Sequence, residues 1–280
     1  MTQNQEKDYV LGTHDEEIAR LGLQHRVWRP IVLDCWRKAG IASGSKVVDV
    51  GSGPGYATLD LAEIVGPTGK VLAVERSRRF IDAARHSCQI RDLPQVAIQE
   101  ADIMDTAINS TDFDAAWCRW VACFVSSPAT LIQRIKAALK PGGVAIFHEY
   151  SHYATWQVIP RKPAVESFVT EVMASWRAQG GEPNIAVQFP DLLRETGFTV
   201  RSVQPRVFTV TPRVFTVTPR DEMWQWPASF IEINLTRLQT LGRVTKEWAD
   251  SVRREFQEAQ SNPTTWLTTP MVLEIVARAD

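Results

Sequence analysis

Between residues 46 and 149 the apolar positions alternate between two rhythms. Short apolar runs at Val47–Val50, Val71–Val74 and Val96–Glu100 predict three strands, with a fourth at Asp114–Val121 and a fifth at Val144–Phe147. Helix-period stretches lie between them, at Ala57–Val65, at about 78–91 and at Leu131–Leu139. Strands alternating with helices of this length predict parallel βαβ units covered on both faces. Upstream, Ile18, Leu21, Trp28, Val32 and Cys35 recur near the helical period over residues 15–40, with Pro30 expected to kink or break the helix.

After Tyr150 the alternation stops. Residues 151–190 are rich in proline and aromatics and helical around 163–178. A short helix at Phe189–Thr196, ended by Gly197, leads into a strand beginning at Thr199–Val203. Residues 221–260 again have helical spacing, and Met271–Ala277 is a last strand. The pattern predicts a core at 45–150, a cap insertion at 151–190, a sixth-strand region at 191–220, a helical cap insertion at 221–264 and a final strand within 265–280. The run Arg206–Pro212 recurs unchanged as Arg213–Pro219, a β-prone alternation that each proline stops. It is read as a local duplication that lengthens a loop or hairpin.

Composition narrows the function classes. A chain of 280 residues, 44% apolar and 22% charged, can bury a full core. The net charge of −1 gives no electrostatic case for a nucleic-acid partner. No apolar run approaches the roughly 20 residues of a membrane span. Met1–Asp8 is polar, without the apolar stretch of a signal peptide, so a cytoplasmic location is expected. Cys35, Cys88, Cys118 and Cys123 lack paired spacing, which predicts reduced thiols and no metal site. Six of the ten tryptophans follow residue 150, so the cap is where aromatic walls are expected.

The chemistry concentrates at the strand ends. Val47–Val50 runs into Gly51, Ser52, Gly53, Pro54 and Gly55, then into a helix, with Asp49 two residues before the first glycine. A strand, a glycine-rich turn and a helix N-terminus present bare backbone N–H groups to a ligand. A dinucleotide fingerprint needs glycine at position 56, which is Tyr56, and no Tyr-x-x-x-Lys pair is present; both count against an NAD(P) oxidoreductase. Glu75 ends the second strand 20 residues past Gly55, Asp102 and Ile103 follow the third, and Pro141-Gly142-Gly143 precedes the fifth.

This set resembles the class I S-adenosylmethionine (SAM) methyltransferases over about residues 45–150. The resemblance implies a Rossmann-like, doubly wound α/β sheet of about seven strands, the last antiparallel, with helical cap insertions. It implies SAM as cofactor and S-adenosylhomocysteine as product. Gly51, Ser52, Gly53 and Gly55 would approach the methionine and ribose portions, with Asp49 ordering that loop or holding the ammonium; Glu75 would hold the ribose hydroxyls, and Arg76 is a further cofactor-binding candidate. Asp102 would take the adenine amino group and Ile103 the ring. The bland alternatives are a solvated strand-end acid for Glu75 and a loop cap for Asp102.

Tyr9-Val10-Leu11-Gly12 with Glu17, Arg20, Leu21 and Gln24 is similar to the N-terminal signature of one bacterial subgroup. It implies that residues 1–44 lie over the cofactor, with Tyr9, Arg20 and Gln24 near its carboxylate; alternatively Arg20 pairs with Glu16 or Glu17. Cys118 and Arg119 are candidates for the cavity wall, with Asp102 or Asp114 as partner for a buried Arg119. His148, Glu149 and Tyr150, after the fifth strand, are the candidate catalytic or substrate-anchoring group, and His25 is a second candidate base. A histidine there can equally be a structural hydrogen-bonder, and Trp156, Trp176, Trp224 and Trp226 can simply fill a core.

The expected function is methyl transfer from SAM to an O, N or C atom of a small molecule. The Asn/Asp-Pro-Pro-Tyr/Phe tetrapeptide of base methylation is absent. No nucleic-acid or membrane partner is expected, and the reading is compatible with a homodimer. The alternative is a SAM-binding protein without transferase activity, acting as a regulator or partner subunit.

Overall fold

Lys46–Val50 (β1) lies mid-sheet, its last four residues buried and both edges paired. A computed structural model describes residues 14–210 and 222–280; Tyr9 and the second heptapeptide copy fall outside them. On one side of β1 stand Lys70–Glu75 (β2) and Val96–Glu100 (β3), on the other Phe113–Arg119 (β4) and Leu139–His152 (β5), all parallel. Gln157–Ile159 (β6) belongs to a second sheet. Phe198–Arg206 (β7) returns to the main one, Thr209–Val210 (β8) and Trp266–Thr268 (β9) join β6, and Met271–Ala279 (β10) ends the chain.

The main sheet has the order β3-β2-β1-β4-β5-β10-β7, with β10 antiparallel to both of its neighbours. It is a seven-stranded Rossmann-like sheet. Strand order reverses between β1 and β4, so a crevice opens at the carboxyl ends of these strands. The β6-β9-β8 sheet is an addition to the predicted plan. Strands of two or three residues are too short to carry a period-two signal. Thr209 and Val210 of the first heptapeptide copy form one of its edges.

Asp15–Lys38 (α1) runs through Pro30 as one helix, without a break there. Its flanking turns are anchored by buried Trp28, Val32, Cys35 and Trp36, and such packing outweighs a proline penalty of about 3 kcal/mol. Pro30 is itself exposed, so its ring lies on the solvent side of the helix. Tyr56–Val65 (α2), Arg78–Ile90 (α3) and Pro128–Ala138 (α4) are the crossover helices; Ser77 and Ser127 accept the Phe80 and Thr130 N–H groups as caps. Pro163–Ala178 (α5), Phe189–Glu195 (α6), Glu222–Thr240 (α7) and Lys246–Ser261 (α8) follow the core.

Pro141-Gly142-Gly143 lies inside β5, not before it. The pairing with β4 shifts register between Phe113 and Ala115, so the strand continues through an irregularity. Among the described residues, no helix is long and apolar enough to cross a membrane.

Candidate active site

Gly51 starts the loop that floors the crevice. Its φ of +67° suits glycine, and a Cβ there would lie 2.3 Å from Val121 Cγ2. The Gly51 and Ser52 N–H groups donate to the Val74 carbonyl at 2.9 and 3.1 Å, tying the loop to β2. Gly53 has a φ of +56°, and a Cβ on it would meet nothing within 4 Å, so this part of the loop faces open space.

Glu75, at the end of β2, locks the same loop. Its Oε2 accepts from Gly53 N at 2.9 Å, and its Oε1 accepts from Arg76 N at 2.9 Å and Ser77 N at 2.8 Å. Burial nonetheless pushes its carboxyl above the usual range. Asp102 accepts from Met104 N at 2.8 Å and faces the Arg76 guanidinium at 3.3 Å. Asp49 takes the Thr58 hydroxyl at 2.6 Å, and burial raises its carboxyl to about 6.

These groups share one cavity of about 430 Å³, within the range of small-molecule sites. Gln24, Asp49, Gly51, Ser52 and Gly53 are on its wall, as are Glu75, Arg76, Asp102, Ile103 and Arg119. The residues present fit SAM: a loop whose glycines leave stretches of backbone bare, carboxylates at the ends of β2 and β3, and room above them. The family profile described as a methyltransferase domain matches residues 48–147, from β1 into β5. This segment is a class I SAM-dependent methyltransferase domain.

Relatives of this methyltransferase domain include the demethylmenaquinone methyltransferase of Staphylococcus saprophyticus, 26% identical over 132 residues, 47% of this chain and 54% of that protein. The chain therefore spans about half the length of the curated relatives it matches. Among solved structures, a putative methyltransferase from Bacillus halodurans superposes with a TM-score of 0.58 at 17% identity, covering 88% of this chain and 97% of that one. The [4+2]-cyclase SpnF does so with a TM-score of 0.56 at 20% identity, covering 89% and 80%. Those two likenesses are of fold, and the cyclase carries a title other than methyltransferase.

Other expected site residues of the methyltransferase domain and its flanks are not on the cavity wall. Gly55 caps α2 behind the loop, and Cys118 is buried in β4. Arg20 is a buried ion pair, donating to both Glu17 oxygens at 2.6 and 2.7 Å and to Gln24 Oε1 at 2.8 Å. Trp226 Nε1 donates to the same Gln24 oxygen at 2.9 Å, which joins α1 to α7. Tyr9 lies outside the described residues.

The His148–Tyr150 group requires a correction. His148 is 0% exposed, wedged edge-on against Trp28 and Trp117, with Nε2 3.1 Å from Glu274 Oε2 on β10. A ring with no exposed surface has no path to a substrate proton. The cluster of Cys35, His148 and Glu274 brings metal-ligating atoms within 4.8 Å of one another, yet the imidazole and Arg206 both reach the same carboxylate. Tyr150 is buried too, stacked on Trp120 at 5.5 Å. Arg119 pairs with neither Asp102 nor Asp114: its Nη2 is 3.1 Å from His25 Nδ1, and Asp114 is taken by Lys140 and the Lys46 N–H.

Glu149 is also 0% exposed and turned from the cavity. Its Oε1 accepts the Val121 and Ala122 N–H groups, each at 2.8 Å, and so holds the chain where it leaves β4. Burial raises its carboxyl to about 7, from 4.5. The folded state then binds the extra proton, so stability present below about pH 4.5 is lost as pH rises through about 7, roughly 3 kcal/mol in all. Glu149→Gln keeps the accepting oxygen and has no proton to lose. Its melting temperature should exceed the wild type's at about pH 8.5 but not at about pH 5. Equal differences at both pH values would refute this account.

Several wall residues carried no usable signal. Trp120, Phe124 and Val125 follow β4, where the crevice rule would have found them once strand order was known. Gln179 arrives from the end of α5, far along the chain, and only the tertiary fold brings it in.

Proposed function

We propose that the protein transfers a methyl group from SAM to a small, largely apolar and planar acceptor. The observation that carries this reading is that one cavity joins the Gly51 loop, Glu75 and Asp102 to an aromatic end formed by Trp120 and Phe124. Glu75 would hold the ribose hydroxyls, Asp102 the adenine amino group, and Ile103 and Phe80 the ring faces. Bound SAM supplies a methyl group already activated by its sulfonium charge.

The chain's own contribution is then alignment and exclusion of water. Trp120 stacks on Tyr150 and on Trp226, at 16° and 24°, which fixes its ring at the acceptor end. The withdrawal of His148, Glu149 and Tyr150 from the wall favours an acceptor that ionises readily by itself. The same withdrawal is the one observation on the side of a SAM-binding protein without transferase activity. The four cysteines are free thiols, which supports a cytoplasmic location as part of this reading.

The test is titration with SAM and S-adenosylhomocysteine, followed by assay of S-adenosylhomocysteine release with phenolic, quinol and amine acceptors. Micromolar binding with turnover of a phenol or quinol is expected. Binding without release for any acceptor would move the assignment to the non-transferring alternative. Absence of binding at millimolar ligand would end both.

A further inference from the structure

We infer that Arg119, held in place by His25 and Asp60, is the anchor for the carboxylate of the cofactor's methionine portion. The inference rests on the SAM reading above. Two described cationic side chains line the cavity, Arg76 and Arg119. Arg76 lies at the end marked by Glu75 and Asp102, facing Asp102. A ligand whose ribose lies over Glu75 and whose adenine reaches Asp102 extends its amino-acid end past the Gly51 loop toward Asp49. Arg119 is there: the Asp49 charge acts on its guanidinium and partly offsets the burial that lowers it to about 10. An adjacent carboxylate and guanidinium match the ammonium and carboxylate of an amino acid.

The guanidinium is arranged but not saturated. Its Nη2 meets His25 Nδ1 at 3.1 Å, and its carbon lies 5.0 Å from the Trp120 ring centroid. Arginine only donates, so Nδ1 accepts and the imidazole proton is on Nε2. Nε2 lies 3.0 Å from Asp60 Oδ2, which also takes Arg29 Nε at 2.7 Å. Burial holds the His25 ring below its usual range, in keeping with the neutral form this chain of bonds requires. Arg119 Nη1 is buried and has no hydrogen-bond partner among the described residues. An unpaired buried donor on a charged group is costly, and a ligand oxyanion would satisfy it. Arg20, by contrast, already spends donors on Glu17 and Gln24. His25 and Asp60 are positioning residues in this scheme, since neither is on the cavity wall.

The experiment compares three ligands by calorimetry on the full chain: S-adenosylhomocysteine, its carboxamide with a neutral terminal amide, and 5′-methylthioadenosine, which lacks the amino acid. Wild type should prefer the carboxylate over the carboxamide by about 10–100-fold, the worth of one buried charge-assisted contact. Arg119→Met should erase that preference and change methylthioadenosine affinity by less than about 3-fold. His25→Leu should narrow the preference part of the way, again sparing methylthioadenosine.

If Arg119→Met weakens all three ligands equally, Arg119 only supports the wall and the inference fails. It fails equally if wild type does not distinguish carboxylate from carboxamide, a result that needs no variant to fold. Tight methylthioadenosine binding in either case would leave the SAM reading standing. Loss of all binding in the wild type would remove both.

Discussion

Glu75→Ala should lower affinity for S-adenosylhomocysteine by about 10²–10⁴-fold, the worth of two charge-assisted hydrogen bonds to a ribose. A second effect adds to the first. The same carboxylate holds the Gly53, Arg76 and Ser77 N–H groups, so its removal also releases the loop that floors the cavity. Glu75→Gln offers a single accepting oxygen and no charge, and should fall between wild type and alanine. Calorimetric titration measures the affinities, and a thermal melt without ligand establishes that each variant is folded. A folded Glu75→Ala protein that binds within about 3-fold of wild type would remove Glu75 from the cofactor site.

Glu274→Ala should cost about 3–5 kcal/mol of stability, lowering the melting temperature by roughly 6–15 °C. Its carboxylate, 3% exposed, is the shared acceptor for His148 Nε2 at 3.1 Å and Arg206 Nη2 at 2.8 Å. Burial pushes this carboxyl up, but those two hydrogen bonds bring it below its usual range, so it is ionised at neutral pH. Burial also raises the Cys35 thiol to about 12, with the Glu274 charge adding to it, so Cys35 is neutral beside the carboxylate. Without Glu274, the sealed His148 imidazole loses its carboxylate partner, and the Arg206 guanidinium of β7 loses its ion pair and keeps the Gln204 oxygen. Cofactor affinity of the folded fraction should be unchanged, because none of these groups lines the cavity. A melting temperature within about 2 °C of wild type would contradict the assignment. A His148→Ala protein that melts normally but no longer transfers methyl would restore His148 as a base.

The N-terminal half of the site was legible because its chemistry is local. Gly51, Gly53 and Gly55 need left-handed backbone, Glu75 ends β2, and Asp102 follows β3. The ends of parallel strands converge whatever surrounds them. The catalytic expectation for His148 failed for a reason that spacing cannot reveal. Alternation along β5 says that His148 and Tyr150 share a face, but not that Trp28 of α1 covers His148 there or that β10, paired alongside, sets Glu274 against it. Arg119 was recognised as a buried cation in need of a partner, yet that partner, His25, is 94 residues away in sequence.

Sequence alone determined the strand–loop–helix unit, the alternation that makes the sheet parallel and the acids at its carboxyl edge. All of these follow from backbone sterics and short-range periodicity. The tertiary structure decided which polar side chains face the cavity and which are sealed in the core. It also decided that Pro30 does not interrupt α1, and that Gln179 joins a wall built mainly from the segments that follow β1, β2, β3 and β4. Those outcomes depend on what covers each residue, and burial is set by packing between segments distant along the chain.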